Sequence, residues 1–209
     1  MSELTIRKKL ASAYKKAGKI LGDTYKVYRP LTLNDALSDA NYIGDSSAAF
    51  TLSKNFIQPQ NEKFKEYIVY SDINAVAVGD IFTRNTGVSS ETFVVVWNRG
   101  LEDTVAIRAT DLIEIHRPTW SNTNGLKTTL VRIAKNVPAN VTGISSTSDV
   151  SVQQVKQAAQ AIRWEIRIWE VDADIKQTDN IKLPNNVLLT VEQVRKTELC
   201  LVLTCVENK

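Results

Sequence analysis

The spacing of apolar residues changes period along this chain, and each period predicts an element. In residues 3–21, ELTIRKKLASAYKKAGKIL, Leu10, Tyr14, Ala17 and Leu21 recur at steps of four, three and four. That spacing lays them on one stripe of an α-helix. Ser2 can cap its start, and Gly22 stands just past its end. Residues 24–29, TYKVYR, alternate instead and predict a short strand that stops before Pro30. Residues 31–60 hold neither period. Asn34, Asp35, Asn41, Gly44, Asp45, Ser46, Ser47 and Pro59 give them loop composition. Leu31, Leu33, Leu37, Phe50, Leu52, Phe56 and Ile57 are nevertheless scattered through this stretch, so the expected long loop is one laid over a partner surface.

From Tyr67 onward the pattern is β. EYIVYSD, FVVVW, TVAIRA and LIEIHR are short runs rich in β-branched and aromatic residues, separated by Gly79-Asp80, Gly87 and Asn98-Arg99-Gly100. Pro118 and the Trp120–Gly125 stretch interrupt them, which predicts a domain boundary there. A second set follows: TTLVRIA, WEIRIWEV, NVLLTVEQV and ELCLVLTCV. Between the first two of these lie a polar loop and a helical stretch in which Val152, Val155, Ala159 and Ile162 are spaced by three, four and three. Ser151 with Gln154 makes a capping box for it. Each half reads as a strand, a polar-Asp element before an isoleucine (Gly79-Asp80-Ile81; Asp179-Asn180-Ile181), a strand, a turn and a final strand. The predicted architecture is therefore mainly β: two tandem small β-barrel or sandwich domains, with a basic amphipathic N-terminal helix and one short inserted helix. The expected boundaries are 1–22 for a helical arm, 23–118 for the first β domain with its loop at 31–60, and 119–209 for the second with a helix about 151–162.

Charge divides the chain differently. The net +3 conceals eight Lys/Arg against two acids in residues 1–29, and 18 against 21 in the remaining 180. The arm is basic and the body mildly acidic. Arg7, Lys8, Lys9, Lys15, Lys16 and Lys19 cover most of the helix outside its stripe, and this reads either as a solvated face or as a docking face for an acidic protein groove. A membrane-surface helix would carry Trp, Phe and more Leu on its apolar side. Arg7, Lys8, Lys15, Lys16 and Lys19, with Phe50 and Phe56 of the loop, are the candidate partner-binding residues, expected to order only on contact. No window approaches the roughly 18 uninterrupted apolar residues of a membrane span, and no signal-peptide core stands at the N-terminus. A soluble protein made in a cytoplasm is expected.

The residues of chemistry are sparse. His116 is the single histidine, which removes His-based metal clusters and makes any Ser-His-Asp arrangement depend on one residue beside Arg117 and Pro118; at the end of LIEIHR it reads as an ordinary strand-end histidine. Gly18-Lys19 lacks the glycine spacing of a phosphate loop. Asp172–Asn180 fails as a calcium loop, because Gln177 stands where glycine is needed and Leu183 where glutamate is, so its acids read as a solvated loop or an interface patch. Cys200 and Cys205, five residues apart in one predicted strand, sit about 16 Å apart if extended and are expected as buried free thiols. Tyr25, Lys26, Tyr28 and Arg29 form the one aromatic-basic cluster in a body otherwise too acidic for nucleic acid. No catalytic residue, metal ligand or cofactor site is expected, and the chain reads as a non-enzymatic interaction module.

Some runs carry a resemblance. Trp164-Glu-Ile-Arg-Ile-Trp169, Asp174-Ile175 with Asp179-Asn-Ile181, Val187-Leu-Leu-Thr-Val191 and Glu198-Leu-Cys-Leu-Val-Leu-Thr-Cys205 resemble the strands of head-tail joining proteins of long-tailed bacteriophages. That family consists of small β-barrels that assemble into the ring beneath the portal. Gly22-Asp-Thr-Tyr-Lys-Val-Tyr-Arg-Pro30 and Ala40-Asn-Tyr-Ile-Gly44 also resemble virion proteins encoded near phage tail genes. The chain departs from the family in being about twice as long and in its basic helix. The resemblance implies a virion structural protein of the neck, assembled in the bacterial host cytoplasm. It further implies a closed homo-oligomeric ring (hexamer or dodecamer) that joins portal or adaptor to tail-terminator or tail-tube proteins. DNA would at most pass through the lumen, and no membrane is involved. The alternatives are another tail or baseplate component, or a small nucleic-acid-binding β-barrel.

Overall fold

The structure, a computed structural model, describes residues 3–32, 34–52, 66–73, 76–87, 90–98, 104–121, 127–144, 163–169, 173–197 and 200–207. Among these residues it is mainly β, with one α-helix and two closed six-stranded barrels. The chain forms two compact units, Met1–Thr32 with Ala36–Ala109, and Leu33–Asp35 with Thr110–Lys209.

The first unit holds helix α1 (Glu3–Leu21) and strands β1 (Asp23–Tyr28), β2 (Tyr42–Leu52), β3 (Glu66–Ser71), β4 (Ile81–Asn85), β5 (Ser90–Asn98) and β6 (Thr104–Ala109). Their order around the barrel is β1-β2-β3-β6-β5-β4, with β4 closing on β1. The second unit holds β7 (Asp111–Ser121), β8 (Lys127–Ile144), β9 (Arg163–Ile168), β10 (Asn180–Lys182), β11 (Leu188–Lys196) and β12 (Leu201–Glu207). Here the order is β7-β8-β9-β12-β11-β10, with β10 closing on β7. Numbered from the start of each unit, the two orders are the same. The irregularities coincide as well: β5 bulges between Val95 and Trp97 where it pairs with β6, and β11 between Val191 and Gln193 where it pairs with β12.

A six-stranded barrel has too narrow an interior for anything but its own side chains. The two barrels fill it differently. The first uses rings: Tyr25, Phe82 and Phe93 are buried, and Phe50 stacks on Phe93 with centroids 3.8 Å apart and planes 8° from parallel. Tyr67 meets Phe93 edge-on at 5.2 Å. The second uses branched aliphatics, among them Ile113, Ile115, Val137, Ile166, Ile168, Ile181, Leu189, Val191 and Leu203. Few large rings and many small branched chains solve the same filling problem, so shared topology leaves little shared sequence.

Several expectations are corrected. Residues 42–52, expected within the loop at 31–60, form β2, paired on both sides. Its inward positions are Ser46, Ala48 and Phe50, and Ser46 is buried because Ser71 Oγ lies 2.8 Å away and its own hydroxyl donates to Asp72 Oδ1 at 2.8 Å. A strand whose inward residues are small or polar gives no hydrophobic alternation. Phe50, expected on a partner surface, belongs to the barrel's own core. The boundary expected at 118/119 falls inside β7, and the units divide at Ala109/Thr110. Pro118 and Trp120 interrupt the β pattern without ending the strand, because that part of β7 is a surface ribbon. Phe56 and the helix expected about 151–162 lie outside the described residues.

Helix α1 spans the residues its stripe predicts, and it is no free arm. Tyr14 packs edge-on against Tyr70 at 5.1 Å. A Cβ on Gly18 would lie 2.8 Å from the Tyr70 carbonyl oxygen and 2.9 Å from that of Ser47, and one on Gly22 would lie 2.6 Å from the Ala48 carbonyl carbon. The two glycines let the helix C-terminus approach the β2–β3 backbone.

Cys200 and Cys205 are buried free thiols. Burial pushes the Cys205 thiol up to about 12, and burial likewise pushes the Tyr25 phenol up to about 12. In the unfolded chain these groups ionise near 9.0 and 10.0. Their raised values favour the protonated native state, so the associated stability is complete below pH 9 and drains away as pH rises toward 12. Urea midpoints measured from pH 8 to 11 should fall from about pH 9 upward. Cys205 should resist a thiol reagent at pH 8 until the chain is unfolded.

Candidate functional site

One arrangement occurs in both barrels, one residue before β4 and one residue before β10. Asp80 and Asp179 are 0% and 1% exposed. Each holds a turn of its own backbone: the Ala77 N–H donates to Asp80 Oδ2 at 2.8 Å, and the Lys176 N–H to Asp179 Oδ2 at 2.8 Å. In each, the preceding residue has a left-handed backbone, Gly79 at φ 90° and Thr178 at φ 75°. In each, the turn is sewn to the bulged strand: Gly79 N–H to Val95 O and Val95 N–H to Asp80 O, matched by Thr178 N–H to Val191 O and Val191 N–H to Asp179 O.

An arginine closes each turn. Arg29 Nε and Nη2 donate to the two Asp80 oxygens at 2.7 and 2.8 Å. Arg117 Nε and Nη2 donate to those of Asp179, both at 2.9 Å. Both arginines precede a proline, Pro30 and Pro118. Arg117 also reaches the Asp174 carboxylate and carbonyl at 3.1 and 2.6 Å, and its hydrogen bond to the carboxylate holds the Asp174 carboxyl below the usual carboxylate range. A buried carboxylate is tolerable only when paired and hydrogen-bonded, and these two are both. Asp179, expected in a solvated loop or interface patch, is therefore a fastening of the fold. The register also shifts the expected equivalence by one residue. Val27 faces Phe82 and Ile115 faces Ile181, so Ile181 matches Phe82 rather than Ile81.

Beyond the second clasp the structure does something the first barrel does not. β10 pairs with β7 only over Glu114–His116, and β9 pairs with β8 only over Ala139–Ile144. Among the described residues, Arg117–Ser121 and Lys127–Val131 therefore pair as strands only with each other, in five facing pairs. This is a two-stranded ribbon of roughly 17 Å at about 3.4 Å per residue. Register shifts between Ile113 and His116, with Asn136 at φ 55°, bend it where it leaves the barrel. Facing residues share a side, so Pro118, Trp120 and Leu130 lie on one face, and Val131 on the other beside Arg117. Trp120 is 69% exposed, Val131 48% and Leu130 43%.

None of the described residues singled out as partner-binding in the sequence belongs to this ribbon. Lys16 and Lys19 are exposed and Lys15 half-buried on α1, in the other unit; the side chains of Arg7 and Lys8 lie outside the described residues. His116 faces Glu114 Oε2 at 3.1 Å. Among the described residues no three His, Cys, Asp or Glu side chains could together hold a metal ion, and no helix is long and apolar enough to cross a membrane. The ribbon was missed because its proline and asparagines read as a boundary; the repeated Arg-Pro and the two Asp-initiated strands were the available signal for the clasps. No protein family, curated protein or solved structure matches the chain.

Proposed function

We propose that this chain is a non-enzymatic structural protein of a phage virion, a neck or head-to-tail connector subunit that assembles into a ring between portal or adaptor and tail. The observation that carries the reading is the β7–β8 ribbon, which leaves a closed barrel with Trp120, Leu130 and Val131 in solvent. Closed barrels have no free edges with which to pair. On such a body an exposed apolar ribbon serves as a contact element in an assembly. The two barrels with one strand order, one bulge position and one Arg–Asp clasp are, on this reading, copies of a duplicated unit. The basic helix α1, held to the first barrel by Tyr14 and Gly18, presents Lys16 and Lys19 toward an acidic neighbour in the particle.

Negative-stain electron microscopy of the purified full chain tests this. Closed rings of uniform diameter are expected, formed without nucleic acid. Particles the size of single chains at every concentration would overturn it.

A further inference from the structure

We infer that the β7–β8 ribbon docks on the first barrel of a second copy of this chain, so that subunits join head to tail. This rests on the assembly reading above and specifies its contact.

The internal repeat supplies the first argument. In the first barrel the chain leaves after Arg29-Pro30 and returns at Tyr42, which pairs with Tyr28. In the second it leaves after Arg117-Pro118 and returns at Arg132, which pairs with His116. The excursion 31–41 and the ribbon are thus equivalent insertions. The first does not stay with its own barrel: Asp35 belongs to the second unit, where Asn136 Nδ2 donates to its Oδ1 at 2.8 Å. Among the described residues the second excursion has no third barrel to join, and another copy of this chain offers it a first barrel.

Charge points to the same occupant. Residues 116–135 contain four Lys/Arg and no acid, whereas residues 23–109 contain eight Lys/Arg against eleven Asp/Glu. Outside the ribbon, residues 110–115 and 136–209 also contain eight against eleven, so charge selects a second copy of this chain and the internal repeat selects its first barrel. Complementary sign speeds encounter.

Area then decides the kind of assembly. Trp120 and Leu130, on one face, together expose on the order of 250 Å², well under the roughly 800 Å² per partner of a standard stable interface. One ribbon does not hold an isolated pair. A head-to-tail ring gives every subunit two such contacts, one given and one received, and closure removes the loose ends.

The test uses the full chain, with Trp120→Ser and Leu130→Ser made singly, sedimentation for assembly state and hydrogen exchange for location. Both side chains lie on the exposed ribbon, and an unchanged melting temperature confirms each fold. Expected is an assembling wild type, variants whose self-association is weakened at least about tenfold, and assembly-dependent protection both in the ribbon and within residues 23–109. A wild type that assembles while both variants assemble equally well overturns the ribbon contact and leaves the ring reading standing. Protection of ribbon against ribbon, or on the second barrel, overturns the choice of occupant. A wild type that stays monomeric at about 100 μM, far above the micromolar range of specific contacts, overturns both.

Discussion

Arg117→Ala is expected to destabilise the second barrel by about 3 kcal/mol, the cost of stranding one member of a buried ion pair. Asp179 is 1% exposed, and without the guanidinium its carboxylate keeps, among the described residues, only the backbone N–H of Lys176 as a donor. At roughly 4–8 °C per kcal/mol for a unit of this size, the melting temperature should drop by about 15 °C. Asp179→Ala should cost less, about 2 kcal/mol, because Arg117 is partly exposed and retains Asp174. Removing the buried partner takes the desolvated charge away with it; removing the exposed partner leaves that charge behind. Arg117→Lys should rescue little, since one ammonium cannot span both oxygens in the fork geometry. Arg29→Ala should repeat the pattern at Asp80 in the first barrel. Hydrogen exchange resolved by barrel checks all four: each loss should stay in its own unit. Equal losses from Arg117→Ala and Asp179→Ala would show that desolvation of the carboxylate is not the dominant effect.

Phe93→Ala should cost the first barrel about 4 kcal/mol, within the range for deleting a buried phenyl ring. Phe93 touches Phe50, Tyr25 and Tyr67, so the cavity it leaves is walled by rings that other rings hold in place and that collapse poorly. Phe50→Ala should also act on stability, at about 3 kcal/mol, and not on assembly at temperatures where the barrel is folded. The distinction matters because Phe50 reads from the sequence as a partner-binding residue. Chemical denaturation followed by exchange in β1–β6 measures the loss, and β7–β12 should remain unchanged.

The elements that could be read from the sequence share one property: their apolar residues repeat at the period of the element. Helix α1 and strands β1, β3, β5, β6, β7, β9, β11 and β12 all sit where alternation, helical spacing or β-branched runs place them, within a few residues. β2, β4 and β10 were not legible as strands. β2 turns Ser46 and Ala48 inward, and β10 is three residues long, too short for any period. The Arg–Asp clasps were half visible. Both aspartates stand before their strands in the sequence, but nothing local shows that Arg29 and Arg117, 51 and 62 residues away, close on them.

Local sequence, then, determined the β class, the helix, most strand positions and the burial of the two thiols, because each depends on a residue and its near neighbours. Tertiary structure alone decided closure into two barrels, the division at Ala109/Thr110 and the partnering of Asp80 and Asp179. It also decided the fate of the apolar residues in doubtful segments. Phe50 went inward and Trp120 outward, because burial follows which strand pairs across the barrel, and pairing joins residues that the one-dimensional pattern keeps far apart.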